Sequence, residues 1–281
     1  MPHPMSDRIV DGAPSWWVSL LLGIVVLLAA TELGFRIGER RSRSAQQGAI
    51  AGQSAATLAA LLGMLGLLLA FSFGIVEGRF AMRKQLVLDE ANAIGTAYLR
   101  AAMLPDPHRE HVQELLREYV DTRTPRALED VDAAMRRSGA LHRRLWAEAV
   151  TAARLDPRSE PTALFVTALN DVIDLHEERV TVALRQRLPA PVFLTLIGVA
   201  LLGMSVLGYG AGVTNARATL PIVAFAVAVA TVMVVIVELD RPGGIFRVSQ
   251  SAMLDTRDAM RRDAEVARER VTSGGGAPTT K

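Results

Sequence analysis

Hydrophobic residues along this chain come in blocks rather than at scattered positions. Trp16–Phe35, Ser54–Val76, Val192–Val213 and Leu220–Leu239 are predominantly apolar. Each is as long as a helix needs to cross a bilayer, about 20 residues. Between the second and third blocks the sequence turns strongly charged. The pattern predicts an all-α integral membrane protein, with four transmembrane helices and a helical polar insert between the second and third spans. The expected organisation is an N-terminal segment over 1–15, a first transmembrane hairpin over 16–76 and the insert over 77–191. A second hairpin follows over 192–239, then an amphipathic C-terminal helix over 240–271 and a flexible tail over 272–281.

Inside the insert the periodicity is helical throughout. Phe80, Val87, Ala91, Ile94, Tyr98 and Ala101 recur at steps of seven, four and three, which marks one face of a helix. Prolines supply the stops. The first insert helix ends at Leu104–Pro107, a second runs from about Pro107 to Thr122, and a third from about Arg126 to Leu155. A fourth begins after Ser159, where Ser-Glu-Pro reads as a helix start. It carries Leu164, Leu169, Ile173, Leu175, Val180 and Leu184, and ends before Pro189. The segment from Arg247 to about Val271 alternates charges, as a solvent-exposed helix does.

No proline lies between Val76 and Leu104, so the second span is expected to run straight into the first insert helix. Such a rod would tie the position of the insert to that of the span. The span also carries small residues at Ala56, Ala59, Gly63, Gly66, Ala70 and Gly74, spaced three and four apart. Small residues let membrane helices approach closely. The stripe is read first as tight packing in a four-helix bundle or an oligomer, and second as room beside a pore. Gly208 and Gly212 add a GxxxG pair in the third span, read as packing.

Half of the residues are hydrophobic (50%), a share a soluble domain could also reach; the blocking is what decides the class. The first block could also be a signal peptide. Asp7, Arg8 and Asp11 before it give no basic lead, and no clean cleavage site follows. Trp16 and Trp17 suit the interfacial anchor of a retained helix. There is no cysteine, so disulfides and thiolate chemistry are ruled out. A net charge of +2 is too small to imply nucleic acid.

Ionisable residues lie only at the ends of the spans: Glu32, Glu77, Glu238 and Asp240, with Arg36, Arg79 and Arg241 near them. A proton-coupled transporter would need carboxylates at mid-depth. Glu77, Glu238, Asp240 and Arg241 fall at one membrane face, either as an ion-pair cluster or each reaching headgroup water alone. Topology stays open on charge. Arg36, Arg40, Arg41 and Arg43 make one loop densely basic. Arg79, Arg83, Lys84, Arg179, Arg185, Arg187, Arg241 and Arg247 make the other face more basic in number.

The run Leu67–Pro105, with its DEANAIGTAYLR core (Asp89–Arg100), resembles the bestrophin-like family of bacterial and plant membrane proteins. So do "LHEERV", "LRQRLP" and "ELDRPGG" further along. The resemblance covers about Gln53 to Asp255. Through that family the chain is distantly similar to the bestrophin ion channels. These are pentamers, mostly anion-conducting, with four spans per subunit and a pore lined by the second span. The resemblance implies a homo-oligomer in the cell membrane that carries small inorganic anions, with insert and termini cytoplasmic. It places a neck at Gly63, Leu67 and Phe71, where Gly63 departs from the bulky residues of the pattern. The acidic calcium-binding run of animal bestrophins does not follow Leu239–Gly244, so calcium gating is not implied.

An apolar ring in a pore gates by dewetting, and basic rings favour anions. Leu67 and Phe71 could form the ring, or simply contact lipid and neighbouring helices. Arg79, Arg83 and Lys84 could line a basic vestibule, or extend toward headgroups. For an enzyme the candidates are His108 with His111, and Asp171, Asp174, His176 and Glu178 on one helix. These lack the Glu-x-x-His pairing of helical metal sites, and no catalytic motif accompanies them. The sequence therefore points to a non-enzyme with no metal and no cofactor. The expected function is an ion channel. The alternative is a non-conducting membrane scaffold or sensor whose insert binds a partner.

Overall fold

The structure, a computed structural model, describes residues 15–41, 47–124, 131–182, 187–215, 217, 219–241 and 245–274. Several features read from the sequence lie outside these. They are the N-terminal segment through residue 14, Arg43, Pro125 with the expected helix start at Arg126, Leu184, Arg185, Pro242–Gly244, and the tail from 275. The described residues form eight helices. These are α1 (Trp16–Arg41), α2 (Gln47–Ala101), α3 (His108–Thr122), α4 (Val131–Leu155), α5 (Glu160–Val180), α6 (Ala190–Val213), α7 (Thr219–Asp240) and α8 (Ser251–Gly274).

Helices α1, α2, α6 and α7 are long and apolar enough to cross a membrane. Each contains one of the four expected blocks. α2 is one helix of 55 residues, as the absence of proline predicts. It ends at Ala101, just ahead of the Leu104–Pro107 stop. Ser159 caps α5, its Oγ accepting from the Thr162 amide at 3.3 Å, and Pro161 sits in the first turn, where its missing N–H costs nothing.

The chain divides into two compact units. One comprises residues 1–80 and 186–247, the other 81–185 and 248–281. In the membrane unit α1 and α6 are in close contact through glycines. A methyl added at Gly34 or Gly38 would strike the Ser205 or Tyr209 carbonyl. One at Gly208 or Gly212 would strike the Thr31 or Phe35 carbonyl. Both helices give up side chains at the crossing so that the backbones can meet, which in lipid is the main source of helix association. Leu27, Leu65, Met204 and Ala226 fill the core beside this seam.

The second unit buries the apolar stripes of α2, α3, α4 and α5 around Ile94, Leu116, Tyr119, Leu145 and Phe165. The C-terminal helix α8 also enters this core. Met253 and Met260, seven residues apart, are buried in this core. Thr256 Oγ1 donates to the Ala91 carbonyl and Tyr98 Oη to the Met260 carbonyl, each at 3.4 Å. The charges of α8 occupy its other faces. The helix also starts at Ser251 rather than near Arg247.

Candidate functional site

The apolar part of α2 has two distinct faces. Leu65, Ser72 and Val76 are buried against the chain's other spans, at helical spacing with the half-buried Leu61, Leu62, Leu68 and Leu69. Gly63, Leu67 and Phe71 lie on the opposite face. Leu67 is 56% and Phe71 64% exposed, and nothing lies within 4 Å of where a Gly63 methyl would be. Gly66 and Gly74 are equally open, so within this chain the small-residue stripe of α2 does not pack. The bundle half of that expectation is corrected; the glycines that bring spans together are those of α1 and α6. A stripe of small residues permits close approach without specifying a partner.

At the charged end of the membrane unit the carboxylates find partners. Asp240, closing α7, accepts from Arg79 Nη1 at 3.3 Å. Its two oxygens also accept from the Leu188 amide at 3.1 and 3.0 Å. Glu238 is buried, accepts from the Ile245 amide at 3.1 Å and lies 3.4 Å from Arg241 Nη1. Glu77 is exposed. With Arg79 included, these residues form two ion pairs, Arg79–Asp240 and Arg241–Glu238, and leave Glu77 exposed. At the other end of α1, Glu32 bonds Arg36 at 2.9 Å and faces Arg217 at 3.8 Å. Of the basic trio, Arg79 is engaged by Asp240, Arg83 is 8% exposed and Lys84 is exposed.

The most elaborate polar arrangement lies in the second unit and was not singled out from the sequence. Glu90, fourteen residues beyond the apolar stretch of α2, is fully buried. It accepts from Arg123 Nε at 2.9 Å and Nη2 at 3.2 Å, from Arg179 Nη1, and from Tyr119 Oη at 2.9 Å. His176 lies 3.2 Å from Tyr119 Oη, and Arg179 also donates to Gln250 at 2.7 Å. His142 on α4 completes the group. Burial alone would favour the neutral form of Glu90. The adjacent His176 and the charges of Arg123 and Arg179 outweigh it and hold the carboxyl well below the usual range. Burial first, then the Glu90 charge, pushes the Tyr119 phenol well up.

A signal for this cluster existed. Glu90 sits on the apolar stripe of α2, three residues after Val87 and four before Ile94. Tyr119 and Arg123 continue the stripe of Val112 and Leu116, and His176 falls between Val172 and Val180. A polar residue on a core-facing stripe needs a buried partner.

The enzyme candidates are dispersed. Asp171, Asp174 and Glu178 are exposed while His176 points inward. His108 bonds Glu148 at 2.6 Å, with His111 3.5 Å away from the same carboxylate. Among the described residues no group of three such side chains is placed to hold a metal ion.

Comparison with known proteins bears on most of the chain. The family model of the bestrophin-like domain matches residues 24–253. A solved structure of a membrane protein is similar at 14% identity, over 88% of this chain and 97% of that one, with a TM-score of 0.65. A single-site variant of a bacterial bestrophin homologue from Klebsiella pneumoniae is similar at 15% identity over the same shares, with a TM-score of 0.63. A second structure of the homologue gives 15% and 0.61. At these identities the likeness is one of fold. No curated protein matches the sequence.

Proposed function

The chain belongs to the bestrophin-like family and is a multi-pass membrane protein, and from that premise we propose that it is an oligomeric ion channel. The conducted ions are small inorganic anions. The pore runs along the apolar stretch of α2, with Leu67 and Phe71 forming a neck and Gly63 a wider ring above it. The ring of subunits is five-fold, by resemblance to bestrophins, and the insert and termini are cytoplasmic. Lys84, the exposed member of the basic trio, is the side chain best placed to make a vestibule favourable to anions.

One observation carries this reading. Leu67 and Phe71 are large, apolar and exposed, on the face of α2 turned away from the chain's own spans. A symmetric ring of copies would bring these strips to a common axis and enclose an apolar constriction, which gates by excluding water.

The test is chloride flux into liposomes holding the purified protein, wild type against Phe71→Ala. Flux that rises in the variant supports a neck at Phe71. No flux in either, with both folded and oligomeric, overturns the channel reading in favour of a scaffold whose insert binds a partner.

A further inference from the structure

The polar cluster of the insert unit contains one buried atom without a hydrogen bond, Nε2 of His142. The residue is 7% exposed. From α4 its ring centroid lies 4.9 Å from that of Tyr119 on α3 and 4.9 Å, edge-on, from that of His176 on α5. Glu90 from α2, Arg123 at the C-terminal cap of α3 and Arg179 from α5 are the charged groups of the same cluster. Buried Ser138 precedes His142 on α4, and Gln250, ahead of α8, is neutral. One carboxylate therefore already faces two guanidiniums, so the cluster carries surplus positive charge before His142 takes up any proton.

We propose that His142 is an acid-operated latch: neutral, its ring seals α4 against α3 and α5; protonated, it is expelled and α4 opens from the insert core. An imidazolium must donate at both nitrogens, and Nε2 has no acceptor where it lies. The Glu90 oxygens are occupied by Tyr119, Arg123 and Arg179. A buried charge left without a partner is costly enough to displace the group that bears it. Burial, then the neighbouring His176, push the His142 ring down to about 4 from an ordinary 6.5, with Arg123 adding to the effect and Glu90 opposing it.

The direction follows from linkage. The folded value is depressed, so the opened form binds the proton first. Opening is insensitive to pH above 6.5. It rises by about tenfold for each pH unit below that, until the folded ring itself titrates near 4. The device belongs to the insert unit and does not depend on whether the chain conducts.

The experiment is hydrogen exchange on the full-length protein between pH 7.5 and 4.5, comparing wild type with His142→Phe, whose ring fills similar space without titrating. The expected result is that α4 amides of the wild type lose protection about tenfold per pH unit below 6.5, after correction for the intrinsic exchange rate, while the variant stays flat. Equal pH dependence in both, or a flat wild-type profile, overturns the proposal. If the Phe variant does not fold, His142→Gln takes its place with the same two readings. Independently, histidine-selective NMR of the folded wild type should find His142 titrating well below 6.5; a value at or above 6.5 overturns the latch.

Discussion

Arg123 grips Glu90 with two nitrogens, Nε to Oε1 at 2.9 Å and Nη2 to Oε2 at 3.2 Å, and both side chains are buried. The pair joins α3 to α2, and Arg179 adds α5 to the same carboxylate. Three helices of the insert unit therefore depend on one acidic group. Glu90→Gln removes the carboxylate that balances the buried Arg123 and the part-buried Arg179, and should destabilise that unit by about 3–5 kcal/mol. Thermal unfolding of the purified protein, followed by helical signal, measures it. A loss under about 1 kcal/mol, typical of an exposed pair, would show that water reaches the guanidiniums.

The same carboxylate sets an acid limit. The folded value of Glu90 lies well below its ordinary 4.5. The stability it contributes is therefore complete above 4.5 and is lost as pH falls below that toward the folded value. Wild-type stability of the insert unit should fall steeply with acidification below 4.5, and that of Glu90→Gln much less. Chemical denaturation at a series of pH values compares the slopes. This window lies below most of the one assigned to His142, so the two groups separate along the pH axis.

Gly208 and Gly66 stand at the two extremes among the glycines of the spans. At Gly208 an added methyl would meet the Thr31 carbonyl, so Gly208→Ala must push α1 and α6 apart. Overpacking of this sort costs about 1–3 kcal/mol. At Gly66 nothing lies within 4 Å of an added methyl. Alanine there should be neutral or gain up to about 1 kcal/mol from its better helix propensity. Melting temperatures of the two variants give the order. A large loss at Gly66 would report contact with another copy of the chain.

Asp240 does two things that substitutions can separate. It holds Arg79 and it accepts the Leu188 amide ahead of α6. Asp240→Asn keeps one acceptor for the amide and loses the ion pair, for about 1 kcal/mol. Asp240→Ala loses both, for about 1.5–3 kcal/mol, the worth of hydrogen bonds to a charged group. The expected order of stability in thermal unfolding is wild type, Asn, Ala. Equal losses would mean that the Leu188 bond contributes nothing.

Much of the architecture was readable because it depends on neighbours in sequence. A span is a length of apolar residues, and each expected block lies inside one of α1, α2, α6 and α7. Helix ends follow from proline and capping chemistry, which acts within a few residues. The Ser159 cap was legible for that reason, as was the uninterrupted α2. The stripe of α8 was harder to see, because Met253 and Met260 are two apolar positions among many charges. Their importance lies in the core they enter.

The sequence by itself determined that this chain crosses a membrane on four helices, carries a helical insert, and continues its second span unbroken into that insert. These follow from hydropathy, periodicity and the placement of proline, all local quantities. Only the tertiary structure decided that the close glycine seam joins α1 to α6 while the α2 stripe stays open. It alone brought Glu90, Tyr119, Arg123, His142, His176 and Arg179 together from four helices. Periodicity says which face of a helix is buried. Which buried polar groups meet depends on the rotation and height at which separate helices pack, and no single segment encodes that.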